Sequence, residues 1–265
     1  MRLGLFDSGV GGFTVLKKII EQCPNTSFIY LADTARLPYG SKTSKEIIQI
    51  AEEISSWFSL QNIDCFLVAC NTTNAIALDV IKKNLDVPVF DLIGSAASII
   101  NESRVGVLAT PSTVKTKAYT NAILEFKPKT FVIEQSCPEF VPMIEMDKIN
   151  SDEITDIAIE YLQPLLNQKV DSLILGCSHY PLITPLITSI LPSSVKLIDP
   201  AEALSLKLKL FMDSKISIFS KKKYSVESKF YVTSNTRQFS LKAKQWLNIF
   251  PQVNLVSLQK KGCVS

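Results

Sequence analysis

An alternation is the feature that most constrains what this chain can become. Short apolar runs occur at residues 2–6, 28–31, 64–69, 87–91, 104–109, 130–134, 171–176, 195–198, 229–233 and 253–256. Between them lie stretches with helical spacing, at 12–22, 43–60, 73–84, 113–126, 151–167, 182–190, 201–213 and 237–247. Ile47, Ile50, Ile54, Trp57 and Phe58 illustrate that spacing. Strand, helix, strand in succession implies parallel sheets covered by helices on both faces, the α/β class. Ligands of such sheets bind beyond the carboxyl ends of the strands. The residues just after each apolar run therefore carry the functional information.

A repeat refines the layout. "DCFLVACNT" (64–72) aligns with "DSLILGCSH" (171–179), which sets Cys70 on Cys177 at an offset of 107 residues. "RLGLFDS" (2–8) aligns more weakly with "RVGVLAT" (104–110), at an offset of 102. Similar offsets in the same order predict two pseudo-symmetric, doubly wound α/β domains with mainly parallel sheets. We expect them at 1–95 and 96–205, with the site in the cleft between them. Residues 206–265 should add strands and helices that pack back onto the first domain.

The two aligned cysteines each stand where a buried strand ends and a helix begins. Asn71, Thr72 or Thr73 is placed to cap the helix after Cys70, and Pro181 to open the one after Cys177. A thiol at a helix start sits in positive potential, which favours thiolate. Facing each other across a cleft, two thiols suit one reaction above others. One takes a weakly acidic proton from a carbon while the other returns a proton to the opposite face, inverting the centre. One group must then be thiolate when the other is thiol, and each needs a neighbour to tune it. Asp7, after the run 2–6, lies at the rim of Cys70. His179, the one histidine, follows Cys177 by two residues and titrates near neutrality. Desolvation and fixed dipoles must stabilise the carbanion.

"DSGVGGFTVL" (7–16) is a glycine-rich turn opening a helix, where backbone amides suit an anion. Thr110 and Thr113 occupy the matching turn of the second half and suit a carboxylate. "ADTARLPYGSK" (32–42) reads as a wall or lid of the site, or as an ordinary surface loop.

Composition removes other classes. Hydrophobic residues at 46% and charged residues at 20% give a globular chain with a sizeable core. A net charge of +3 is too small and dispersed to argue for a nucleic-acid or membrane partner. Lys221, Lys222 and Lys223 read as a solvated loop. Asp7 interrupts the first apolar stretch too early for a signal peptide, and no stretch is long enough to span a bilayer. A cytoplasmic location is expected. There the six cysteines (23, 65, 70, 137, 177, 263), without a CxxC pair, should be reduced thiols.

"FDSGVGG", "ADTARLPYG", "VACNTTNA", "CPEFVPMIE" and "LGCSHYP" resemble the glutamate racemases in order and spacing, over about residues 3–200. The resemblance implies interconversion of L- and D-glutamate without cofactor or metal, supplying D-glutamate for peptidoglycan. It implies two α/β domains with the site between them, and often a homodimer. It puts the paired catalytic cysteines on Cys70 and Cys177, and the assisting groups on Asp7, Glu145 and His179. Substrate contacts fall on Asp7, Ser8, Tyr39, Gly40, Asn71, Thr72, Thr110, Thr113, Ser178 and His179. Some positions differ from the family's pattern. Thr73 and Asn74 replace small residues, Ser178 replaces threonine, and Pro111–Ser112 stand where a glycine is expected. "DLIGSAAS" (91–98) replaces a segment containing Pro-Gly.

Other readings stay open on residues alone. A racemase for aspartate or another amino acid would use the same two cysteines. A metal-binding protein could use Cys70, Cys177 and His179, although close ligand pairs and an obvious fourth ligand are lacking. A dithiol redox protein would join Cys70 to Cys177.

Overall fold

The computed structural model describes residues 1–215 and 227–258. Lys221–Lys223 and Cys263 fall outside the described residues. The strands are β1 (Arg2–Asp7), β2 (Ser27–Ala32), β3 (Cys65–Val68), β4 (Val89–Asp91), β5 (Arg104–Ala109), β6 (Phe131–Ser136), β7 (Ser172–Gly176), β8 (Lys196–Ile198), β9 (Lys229–Val232) and β10 (Val253–Leu255). The helices are α1 (Gly12–Gln22), α2 (Ser44–Phe58), α3 (Asn71–Asn84), α4 (Leu92–Ile99), α5 (Pro111–Thr116), α6 (Ala118–Phe126), α7 (Phe140–Glu145), α8 (Asp152–Asn167), α9 (Thr184–Ile190), α10 (Pro200–Ser214) and α11 (Thr236–Leu247).

Two sheets form, in the orders β10-β9-β2-β1-β3-β4 and β6-β5-β7-β8. Every pairing is parallel. The segment β2-β1-β3-β4 has the same order as β6-β5-β7-β8, so β1 corresponds to β5 and β3 to β7. These are the strands that the sequence repeat aligns. In each sheet the chain reverses direction of winding between those two strands, which opens a crevice at their carboxyl ends.

Alternate strand residues feed opposite cores. Leu3 and Leu5 of β1 join Phe13 and Leu16 of α1 and Leu204 and Leu208 of α10, whereas Phe6 joins Ile47 and Ile54 of α2 on the other face. In the second sheet Leu173 and Leu175 pack with Leu162 and Leu165 of α8, and Ile174 with Tyr119 and Ile123 of α6. Both faces of each sheet are thus covered, which is why the strands read as unbroken apolar runs. β9 extends the first sheet by pairing with β2, and Phe239 and Ala243 of α11 complete its core. We propose that the two units divide within α4 and α10, near residues 95 and 205. α4 itself gives Leu92 to a core of the first sheet and Ile93, Ala96 and Ala97 to a core of the second.

Several expected boundaries move. The helix expected over 113–126 is two helices, broken at Lys117 with φ 53°. α3 starts at Asn71 with Cys70 itself in the N-cap position, so none of Asn71, Thr72 or Thr73 is the cap. The helix expected from 182 opens as a 3-10 turn, Tyr180–Ile183, with Pro181 in its first turn, before α9. α4 and α7 were not expected. Leu92, Ile93, Ser95, Ala96 and Ala97 are all buried, so α4 has no polar stripe to reveal its period. α7 is a six-residue helix with a proline inside it.

Gly176 ends β7 opposite Ala109 of β5. A Cβ there would meet the Leu108 carbonyl oxygen at 2.6 Å and the Tyr119 ring at 3.0 Å. The first neighbour is backbone and cannot swing away. Gly176→Ala is expected to destabilise the fold by about 1–3 kcal/mol, the range for overpacked cores, as a lower urea midpoint with unchanged slope.

Candidate active site

The crevice of the first sheet is built by the ends of β1 and β3. Asp7 closes β1 and is fully buried. Its carboxylate accepts from the Gly9 amide at 2.9 Å and from the Ser178 hydroxyl at 3.0 Å. Burial pushes its pKa up, against the opposing pull of His179 and of the hydrogen bonds from Gly9 and Ser178. The turn needs its glycines, since a Cβ on Gly11 would collide with His179 and with Ser178 Oγ, and one on Gly12 with Tyr30 and Asp7. Cys70 follows β3, 3% exposed, with its Sγ 3.7 Å from Ser8 Oγ. Burial and the nearby Asp7 carboxylate push this thiol up to about 12, while hydrogen bonding from Thr73 and Ser8 pulls it down.

The ends of β5 and β7 build the second crevice. Cys177 follows β7 and is 6% exposed. Its Sγ lies 3.9 Å from His179 Nδ1, and His179 Nε2 lies 2.8 Å from Glu145 Oε1. Burial works against a charged imidazole, but the contacts with Cys177 and Glu145 outweigh it and raise the His179 pKa well above the usual range. Burial would raise Glu145, but His179 and Lys242 more than offset it and hold the carboxyl at about 2. The ring is thus held between a sulfur and a carboxylate, both of which favour its protonated form.

Short contacts join the two crevices. Cys70 touches Ser8, the neighbouring Asp7 accepts from Ser178, and Ser178 adjoins Cys177. Thr14 of α1 donates to the Ser178 carbonyl at 2.9 Å, so the first unit also holds the second unit's cysteine turn. Thr72 Oγ1 lies 2.9 Å from Thr110 Oγ1, which lies 2.9 Å from Thr113 Oγ1. Asn71 accepts from Tyr119 Oη at 2.6 Å. The loop 32–42 is a wall rather than a surface excursion. Tyr39 is buried with its hydroxyl on Asp33, and Ser112 Oγ donates to the carbonyls of Gly40 at 2.8 Å and Lys42 at 2.9 Å. The Pro111–Ser112 departure therefore docks this wall while Thr113 keeps its place beside Thr110.

The site residues read from the sequence lie along these two crevices and the contacts that join them. Four that support them were missed. Lys242, on α11, donates to Glu145 Oε2 at 3.2 Å and to its carbonyl at 2.6 Å. Asp33 fixes Tyr39, Tyr119 fixes Asn71, and Thr73 faces Cys70. Thr73 and Asp33 lay inside segments already singled out, "VACNTTNA" and "ADTARLPYGSK", whereas Tyr119 and Lys242 did not. Among the described residues no group of three or more His, Cys, Asp and Glu side chains could hold a metal ion, and Cys23, Cys65, Cys70, Cys137 and Cys177 are free thiols. No described helix is long and apolar enough to cross a membrane.

The architecture and both crevices have counterparts among known proteins. The profile of the Asp/Glu/Hydantoin racemase family matches residues 5–206. A glutamate racemase of Prochlorococcus marinus (strain NATL2A) is 79% identical over 265 residues, covering 100% of both chains. One of Synechococcus sp. (strain CC9605) is 44% identical over 255 residues, covering 96% of both. The crystal structure of glutamate racemase from Francisella tularensis subsp. tularensis SCHU S4, in complex with D-glutamate, superposes with a TM-score of 0.91 at 35% identity, covering 97% of each chain. An isomerase related over its whole length to glutamate racemases, the chain belongs to the Asp/Glu/Hydantoin racemase family.

Proposed function

We propose that this chain interconverts L- and D-glutamate by a two-thiol mechanism, without a cofactor. The observation that carries the reading is the placement of Cys70 and Cys177, buried at equivalent rims of two like-ordered sheets and linked through Ser8, Asp7 and Ser178. Similarity to glutamate racemases favours glutamate over aspartate as the substrate. The family's homodimer, cytoplasmic location and role in peptidoglycan supply belong to the same proposal.

The neighbours of each sulfur set its part in the first step. His179 lies 3.9 Å from the Cys177 sulfur, placed to hold a positive charge beside it when that sulfur acts as the base. Cys70, desolvated next to Asp7, rests as thiol. With one enantiomer bound, Cys177 sulfur takes the α-proton and Cys70 delivers its own proton to the opposite face. Cys177 ends as thiol and Cys70 as thiolate, the form that serves the other enantiomer. Proton count is conserved, and each turnover leaves the charges exchanged. Ser8, the Tyr39–Gly40 wall and Asn71 line the first unit's side. Thr72, Thr110 and Thr113, whose hydroxyls are otherwise spent on one another, supply donors to a substrate carboxylate.

Heavy water gives the test. Incubated with L- or D-glutamate in D2O, the enzyme should place deuterium at the α-carbon as the enantiomer forms, read by NMR and circular dichroism. Deuteration of aspartate with none of glutamate would move the assignment to an aspartate racemase. Inversion without deuterium in either would remove the proton-transfer mechanism altogether.

A further inference from the structure

We propose that Lys242 is a positioning residue for the Cys177 half of the reaction, holding Glu145, and through it His179, in line with the sulfur. The inference rests on the two-thiol reading above.

Glu145 terminates α7, a helix of only six residues, and its two carboxylate oxygens are divided between His179, joined by the Val10 amide at 3.5 Å, and Lys242. Oε1 takes His179 Nε2 at 2.8 Å and Oε2 takes Lys242 Nζ at 3.2 Å. The same ammonium reaches the Glu145 carbonyl at 2.6 Å, so it fixes the residue's backbone as well as its side chain. A carboxylate held at both oxygens cannot rotate without losing a charge-assisted bond. His179 has no other described partner for Nε2, so its ring plane follows Glu145.

Lys242 is itself rigidly placed. Its neighbours on α11, Phe239 and Ala243, are buried with Leu3, Leu5 and Tyr30 in a core of the first sheet. Its side chain is 13% exposed. A turn further along α11, Gln245 reaches Asp147 at 3.1 Å, a second link to the segment after α7. A helix rooted in one unit thus orients the acid/base pair of the other. Among the described residues Lys242 bonds to Glu145 and to none of the proposed substrate residues, which makes its role one of placement.

The test exploits the one-sidedness of the effect. At equilibrium the enantiomers are equal in energy, so kcat/KM must change equally in both directions and cannot report which half is damaged. Primary isotope effects can. Lys242→Met should lower kcat roughly 10- to 100-fold, the size expected for loss of a bond to a charged group, with KM nearly unchanged. With α-deuterated substrate, the isotope effect on kcat/KM should rise for the enantiomer that yields its proton to Cys177 and fall for the other. Lys242→Arg should restore most of the activity, and Lys242→Met should add little loss on top of Glu145→Gln. Should Lys242→Met fold poorly, Lys242→Gln, which keeps length and polarity, reads out the same isotope effects. Parental kinetics, or isotope effects that move alike for both enantiomers, would overturn the proposal for Lys242. The two-thiol reading fails separately, if Cys70→Ser and Cys177→Ser both racemise normally.

Discussion

Cys177→Ser and Cys70→Ser are each expected to cut glutamate racemisation roughly 10²–10⁴-fold, the range for loss of a positioned acid/base group, while leaving the fold intact. A serine hydroxyl fills nearly the same space but is a far weaker acid than a thiol. At Cys177, the hydroxyl left beside His179 would make a poor base for the α-proton. At Cys70, Ser8 at 3.7 Å would sit beside a hydroxyl that gives up its proton to a carbanion only reluctantly. Each variant keeps one working arm. Given a glutamate analogue with a leaving group on the β-carbon, each should still remove the α-proton and expel that group. It should do so for one enantiomer only, and the two variants should choose opposite enantiomers. Chiral chromatography of the remaining analogue reads the choice directly. Loss of both enantiomers at equal rates in either variant would mean that a single base serves both faces, and the paired-thiol account would fall.

The sheet pattern was legible because each strand is buried on both faces and so appears as a continuous apolar run. The register of the repeat was legible for a related reason. Cys70 and Cys177 follow topologically equivalent strands, β3 and β7, and a rim residue cannot drift without losing its crevice. Local helix geometry was harder. A single left-handed residue, Lys117, divides what apolar spacing presents as one helix. No rule of spacing marks a lysine for that conformation. α4 escaped because a helix buried around most of its surface loses the periodicity that identifies helices.

The site divides along the same line. Residues directly at strand ends, such as Asp7, Thr110 and Cys177, could be read from position alone. Glu145 came only through family resemblance, since it sits on a short helix whose existence the pattern did not suggest. Lys242 had no signal at all. It lies 97 residues from Glu145 and resembles any solvated lysine on an amphipathic helix, until the packing of α11 on the first sheet carries it across the cleft. Contacts set by the packing of one unit on another leave no trace in local sequence.

Asp7→Asn is expected to do two opposite things, slowing racemisation roughly 10²-fold or more while raising the melting temperature at pH 7. The stability gain follows from the sign of the Asp7 shift. Burial raises its folded pKa above the ordinary carboxylate value, so the folded state binds the proton more tightly than the unfolded one. The stability this provides is complete below the unfolded value near 3.8 and disappears as pH rises through the raised folded value. Wherever the pH exceeds that folded value, the chain carries a buried charge that disfavours folding. An amide removes that charge and keeps the geometry. Its oxygen can accept from Gly9, and its NH2 can donate to Ser178, whose hydroxyl turns to accept. The stability advantage over the parent should narrow as the pH is lowered through the folded value of Asp7, as measured by thermal unfolding across pH. Activity is lost because the carboxylate sits beside Cys70 and adds to burial in raising that thiol's pKa, so its removal unsettles the tuning of the donor. A variant that melts earlier than the parent at pH 7 would show that Asp7 serves packing rather than chemistry. The expected trade of stability for rate instead marks a charge retained in the core because the reaction needs it.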